Sequence, residues 1–217
     1  MALPSSHTPR NSSPRPDPRQ DPAVSQLIQA KGYNPTSIDL NPANTRFFVI
    51  KSYTEDDVQR SLKYEIWAST EKGNARLDKA FRESIEGKEE SQRGRILLFF
   101  SVNASGHFCG MAEMLTPLDY SSSSNIWAQE GKWKGTFKVK WIFVKDVPNN
   151  RMRHIRLTNT PECKPVTQSR DTQELPQEAG KEVMKIMAEY TSSTSLLQDW
   201  LFYEEQAAAR RQQEVGG

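Results

Sequence analysis

The chain has 217 residues and a mass of 24.8 kDa, which points to one domain with tails. Hydrophobic residues make up 35% and mean hydropathy is −0.74, too polar for the whole chain to sit in one compact core. The net charge of +2 means that a polyanion can be held only by a local basic patch. No apolar run approaches the roughly 18 residues of a membrane helix, and no apolar stretch near Met1 has the form of a secretory signal. The two cysteines, Cys109 and Cys163, are expected as free thiols in a reducing compartment.

Residues 1–22 carry Pro4, Pro9, Pro14, Pro16, Pro18 and Pro22 with no apolar period, and read as a disordered Pro/Ser-rich tail. Residues 23–44 hold Leu27, Ile28, Tyr33, Ile38 and Leu40 between prolines. They are expected to lie extended on the domain, without a long element of their own. The first domain element is a short buried strand, 47–50, ending at Lys51-Ser52-Tyr53. A helix follows. Thr54 is its N-cap, Asp57 completes a capping box, and Glu55 and Asp56 complement the helix dipole. Val58, Leu62 and Ile66 form its buried stripe, and Trp67 closes it. This strand and helix place Lys51, Tyr53, Asp57 and Trp67 in one neighbourhood.

A second helix is predicted over 73–86, burying Leu77, Ala80, Phe81 and Ile85. Residues 87–94 are a charged loop. Strands at 95–103 and 106–115 form a hairpin. A polar loop, 119–135, contains Trp127 and Trp133, with four serines at 121–124. The strand 136–147 alternates, with Phe137, Val139, Trp141 and Phe143 on one face and Lys138 and Lys140 on the other. A short strand is expected at 153–157 and a loop at 158–174. Pro176 opens a helix burying Val183, Ile186, Met187 and Tyr190. A last amphipathic helix starts near Ser195 with Leu196, Leu197, Trp200, Leu201 and Tyr203, and 206–217 should fray. The class is α+β, or mixed α/β, with a curved mixed sheet.

The five tryptophans sort by their company. Trp141 shares a strand face with Phe137 and Phe143, and Trp200 sits on an amphipathic helix; both read as core. Trp127 and Trp133 lie in a loop of Ser, Gly, Asn and Lys, where an indole without a ligand is unusual. Trp67 fits core and ligand roles equally. A box of Trp67, Trp127 and Trp133 suits either a methylated ammonium, held by cation–π attraction, or a flat base held by stacking. From 132 to 156 run Lys132, Lys134, Lys138, Lys140, Lys145, Arg151, Arg153 and Arg156 against the single acid Asp146. That patch attracts a phosphate backbone and repels a lysine-rich tail, which favours single-stranded nucleic acid over a methyl-lysine peptide. The alternative for the basic strand is a solvated face.

The segment FFVIKSYTEDDVQRSLKYEIWAST, beginning at Phe47, resembles the opening motif of the YTH domain, the family that reads N6-methyladenosine in RNA. The resemblance continues through 100–114, 133–149 and 154–174, covers about 45–205, and is closest to the cytoplasmic branch. It implies a β-barrel-like core flanked by helices, with Trp67, Trp127 and Trp133 as cage aromatics, two sandwiching the purine and one meeting the methyl. It also implies that Ala68 offers its main-chain carbonyl to the N6–H. Lys51, Ser52, Tyr53, Asp57, Asn103 and Asp171 match base and ribose contacts. Arg170 matches a phosphate contact, joined by Lys51 and by Lys132, Lys134 and Lys140 of the basic patch. Three departures are visible: Ala68 stands where Cys or Ser is usual, the WAQEGKW loop is one residue longer, and 86–93 is an insertion.

Asp57 has a chemical constraint. Adenine N1 and a carboxylate are both acceptors, so the contact needs a protonated acid or an intervening water. The implied function is a non-enzymatic reader of N6-methyladenosine in single-stranded messenger RNA. It would be a cytoplasmic monomer, with the nucleus left open, influencing mRNA stability or translation through tails that recruit protein partners. No cofactor, metal or membrane is implied. The alternatives are a methyl-lysine reader and a non-selective single-stranded RNA binder. An enzyme built on His107 and Cys109 lacks a third group to orient the pair, and three His and two Cys have no zinc-like spacing.

Overall fold

The computed structural model describes residues 20–121 and 135–215. Six strands form one sheet in the order β2-β5-β4-β3-β1-β6. They are β1 (Thr45–Ser52), β2 (Ile66–Trp67), β3 (Arg95–Val102), β4 (His107–Met114), β5 (Phe137–Pro148) and β6 (Gln173–Leu175). Five helices pack around it: α1 (Pro22–Lys31), α2 (Glu55–Tyr64), α3 (Glu71–Ile85), α4 (Gln177–Glu189) and α5 (Trp200–Val215). β1 and β3 are parallel, joined by the α2–β2–α3 crossover, and every other pairing is antiparallel.

β1 and β3 are buried on both faces, which is why they read as unbroken apolar runs. Phe48, Ile50, Leu98 and Phe100 face α1, α2 and α3, whereas Phe47, Val49, Leu97 and Phe99 face α4 and the 152–166 segment. The sheet curls into a half-barrel, so β2 at one edge and the end of β1 near the other line one pocket.

Several sequence expectations are corrected. The Pro22–Lys31 segment is a helix, not extended: Asp21 caps it, a proline opens it, and Gly32 ends it at φ +67°. α2 stops at Tyr64, because Glu65 turns left-handed at φ +56°; Ile66 and Trp67 belong to β2 and pair with Lys138 and Phe137. β5 is bulged: Ala112 pairs with Trp141 but Met111 with Phe143. The extra residue, Ile142, moves Phe143 to the opposite core from Trp141. Residues 153–157 make only the isolated bridge Arg156↔Pro165, while the expected loop 158–174 ends in β6. The run 206–217, expected to fray, is helical to Val215, and Trp200 is only partly buried.

Candidate nucleic-acid interface

The pocket forms where β1 gives way to α2. The Ser52 hydroxyl donates to the Thr54 carbonyl at 2.8 Å and tightens the turn. Thr54 Oγ1 accepts the Asp57 N–H at 3.1 Å and donates its own proton to Asp57 Oδ2 at 3.0 Å. Asp57 is thus both a helix-capping partner and a pocket-lining carboxylate, and it is 7% exposed. At the other end of α2 the left-handed Glu65 redirects the chain, and pairing with Phe137 sets Trp67 in place. The Trp67 indole stands edge-on to Phe100 at 5.1 Å, and Phe100 packs on Trp141 at 4.4 Å. An aromatic ladder therefore supports this wall from the core.

Lys51, Ser52, Tyr53, Asp57, Trp67, Ala68, Ser69 and Asp171 enclose about 300 Å³, counting the open mouth. Seven of them are residues singled out from the sequence. Ser69, the eighth, was not singled out: it precedes Thr70, the N-cap of α3, and no local pattern marks it as a pocket residue. Its hydroxyl donates to Asp171 Oδ2, and the Lys51 N–H donates to Asp171 Oδ1 at 3.0 Å. Burial raises the Asp171 pKa, opposed by these hydrogen bonds, the Thr172 N–H and the nearby Arg76 charge. The Lys51 ammonium lies 3.4 Å from the Thr167 carbonyl and 5.5 Å from the Phe108 ring centre, and burial lowers its pKa.

The remaining candidates fall in three places. Asn103 is exposed at the end of β3, its N–H donating to the Ser52 carbonyl at 2.9 Å, and Arg170 is exposed beside Asp171. Lys140 does not line the pocket. It is exposed on β5 opposite Glu113, whose carboxylate bridges Arg95 at 2.7 Å. Trp127, Trp133, Lys132 and Lys134 lie outside the described residues; the chain returns at Gly135, two residues before the β2 partner Phe137.

His107 and Cys109 do not form a pair. The His107 ring lies 3.1 Å from the Ser105 carbonyl and 3.4 Å from Asp146, whereas the Cys109 thiol points to the Phe100 carbonyl at 3.5 Å. Burial pushes the Cys109 thiol pKa up, the wrong direction for a nucleophile. Both cysteines are free thiols. Among the described residues no helix is long and apolar enough to cross a membrane.

Chemically the pocket offers one supported indole and two carboxylates beside the Lys51–Tyr53 and Ala68–Ser69 segments. This suits a flat heterocycle whose edge donates and accepts hydrogen bonds while its face stacks.

The family model for YTH, the YT521-B-like domain, matches residues 45–188. The chain is 54% identical over 189 residues to mouse YTH domain-containing family protein 1, and 53% over 195 residues to the human family protein 3. These matches cover 87% and 88% of the chain, which spans about a third of the length of these curated relatives (32% of each). The YTH domain of Zygosaccharomyces rouxii MRB1 protein, crystallised with N6-methyladenosine RNA, superposes with a TM-score of 0.60 at 40% identity. That match covers 70% of this chain and 92% of the other. The Pho92 YTH domain in complex with m6A gives 0.65 at 39% identity, covering 72% and 93%. With a family model matching most of its length and a pocket built from the motif residues, the chain belongs to the YTH family.

Proposed function

We propose that this chain is a non-enzymatic reader that binds N6-methyladenosine in single-stranded RNA. The observation that carries the reading is the pocket itself: Trp67, Asp57, Ala68 and Lys51 converge on one slot. The relatives crystallised with N6-methyladenosine support it. Trp67, together with Trp127 and Trp133, would stack the base and surround its methyl group. N6-methyladenine is neutral, so recognition is by stacking and methyl burial. The Ala68 carbonyl accepts the N6–H, and Asp57 meets the N1 edge through water or as the protonated acid. Asp171, Ser52, Tyr53 and Asn103 serve the base and ribose. Lys51 and Arg170, with Lys132, Lys134 and Lys140, serve the phosphates.

Selectivity is bounded by the chemistry. One buried methyl is worth about 0.8 kcal/mol, and an unfilled box adds to that, giving roughly 10- to 200-fold preference. Unmethylated RNA still binds, more weakly as salt rises. Bases must unstack to enter, so single strands are preferred to duplexes. In the cell the reading is a cytoplasmic, monomeric reader of messenger RNA that alters stability or translation through protein partners bound outside this domain.

The test is a titration of one short single-stranded RNA, with and without a single N6-methyl group, beside a trimethyl-lysine peptide. Tighter binding of the methylated RNA, weakened by salt, is the expected result. Equal affinity for both RNAs would make the chain a general single-strand binder. Binding of the peptide alone would make it a methyl-lysine reader. Either outcome overturns the proposal.

A further inference from the structure

Thr172 sits in the left-handed region at φ +59° and is 1% exposed. A β-branched residue rarely adopts that conformation, so its surroundings must hold it there. Arg76 of α3 does so. Its Nη1 donates to the Thr172 carbonyl at 3.2 Å and to the Thr172 hydroxyl at 2.7 Å. The residue before Thr172 is Asp171. β6 pairs with β1 only as far as Val49↔Gln173. Two residues further along β1, the Lys51 N–H finds a carboxylate oxygen of Asp171 at 3.0 Å. The other oxygen takes the Ser69 hydroxyl. The same helix fixes Ser69, whose N–H donates to Asn74 Oδ1 at 2.7 Å. A Cβ on Gly73 would collide with both the Ser69 hydroxyl and the Thr172 methyl. The first turns of α3 thus grip the 69 and 171–172 segments together.

We propose, resting on the reading of the pocket above, that Arg76 is a positioning residue for the methylated-base site. It holds Thr172 left-handed, and Thr172 sets the Asp171 carboxylate between the Lys51 N–H and the Ser69 hydroxyl. Arg76 acts through the pocket wall. The role differs from that of a cation placed to meet a phosphate, because Nη1 directs both of its protons at Thr172, one to the carbonyl and one to the hydroxyl.

The experiment uses Arg76→Gln, which removes the charge and withdraws the Nη1 donor from Thr172. Arg76 is exposed, so the fold should persist. Two readouts are taken: amide hydrogen exchange at Lys51 in the free protein, and the ratio of affinities for methylated and unmethylated RNA. Exchange at Lys51 should rise about tenfold while the β3 core amides stay protected. The affinity ratio should fall about three- to tenfold, with the salt dependence unchanged. In a Thr172→Gly background, where the left-handed conformation carries no penalty, adding Arg76→Gln should change either readout by less than about twofold. Unchanged Lys51 exchange in Arg76→Gln would overturn the proposal. So would equal losses for both RNAs with a salt slope shallower by about one, the signature of a phosphate contact. If the wild type shows no preference for methylated RNA, the reading of the pocket fails, and the Lys51 exchange still decides what Arg76 does.

Discussion

Truncating Trp67 tests how the pocket wall is built. The indole is 4% exposed and stands on Phe100 at 5.1 Å, so Trp67→Ala removes a packed core group as well as a ligand surface. Emptying such a site costs about 3–5 kcal/mol of stability. For a domain of this size each kcal/mol lowers Tm by about 2–4 °C, so the variant should melt about 6–20 °C below the wild type. The lost stacking face is worth about 1–3 kcal/mol of binding, or about 5- to 150-fold in Kd for methylated RNA. Thermal melts followed by circular dichroism give the first number, and fluorescence anisotropy well below the variant's Tm gives the second. Trp67→Phe, which keeps a ring, should fall between the two proteins in both assays. A Trp67→Ala protein that melts within about 2 °C of the wild type would refute the packing argument. One that melts lower but binds methylated RNA with undiminished affinity would refute Trp67 as the wall the base meets.

Three further outcomes are expected. Asp57→Asn should keep or improve affinity for methylated RNA, because an amide can donate to adenine N1 and its oxygen can still accept the Thr54 hydroxyl; a loss beyond about tenfold in an anisotropy titration would contradict this. Burial raises the Asp171 pKa above the ordinary 3.8, so between that value and its folded-state pKa the folded protein holds more protons than the unfolded chain. The Asp171 contribution to stability therefore falls as pH rises through that window. The Tm of the wild type minus that of Asp171→Asn should decline from about pH 4 upward, and a flat difference would count against it. Gly180→Ala should destabilise by about 1–3 kcal/mol in urea, because the added Cβ overlaps the Phe47 ring where α4 meets β1; an unchanged midpoint would mean that this contact gives way freely.

The elements that carried strong local chemistry were legible in the sequence. The apolar run of β1 and the Thr54–Asp57 start of α2 lie where read, and with them Lys51, Tyr53 and Asp57 in one pocket. The end of α2 was not legible, because Ile66 continues the helical period and a glutamate, not a glycine, takes the left-handed cap. β6 is three residues defined by pairing with β1, which no local pattern announces. The bulge at Ile142 leaves the alternation of β5 intact on paper while reversing the face of Phe143. For α1 the signals were present: Asp21, Pro22 and Gly32 frame a helix, and the surrounding prolines hid them. Arg76 could not be found locally, since its partner Thr172 is 96 positions away.

The most direct test follows the methyl group itself. A short single-stranded RNA carrying one 13C-labelled N6-methyl group is titrated with the protein and observed by NMR. A methyl enclosed beside Trp67 should shift upfield through the indole ring current and show nuclear Overhauser contacts to the Trp67 ring protons at saturation. A methyl resonance that keeps its free position in the saturated complex would place the mark outside the pocket and contradict the account.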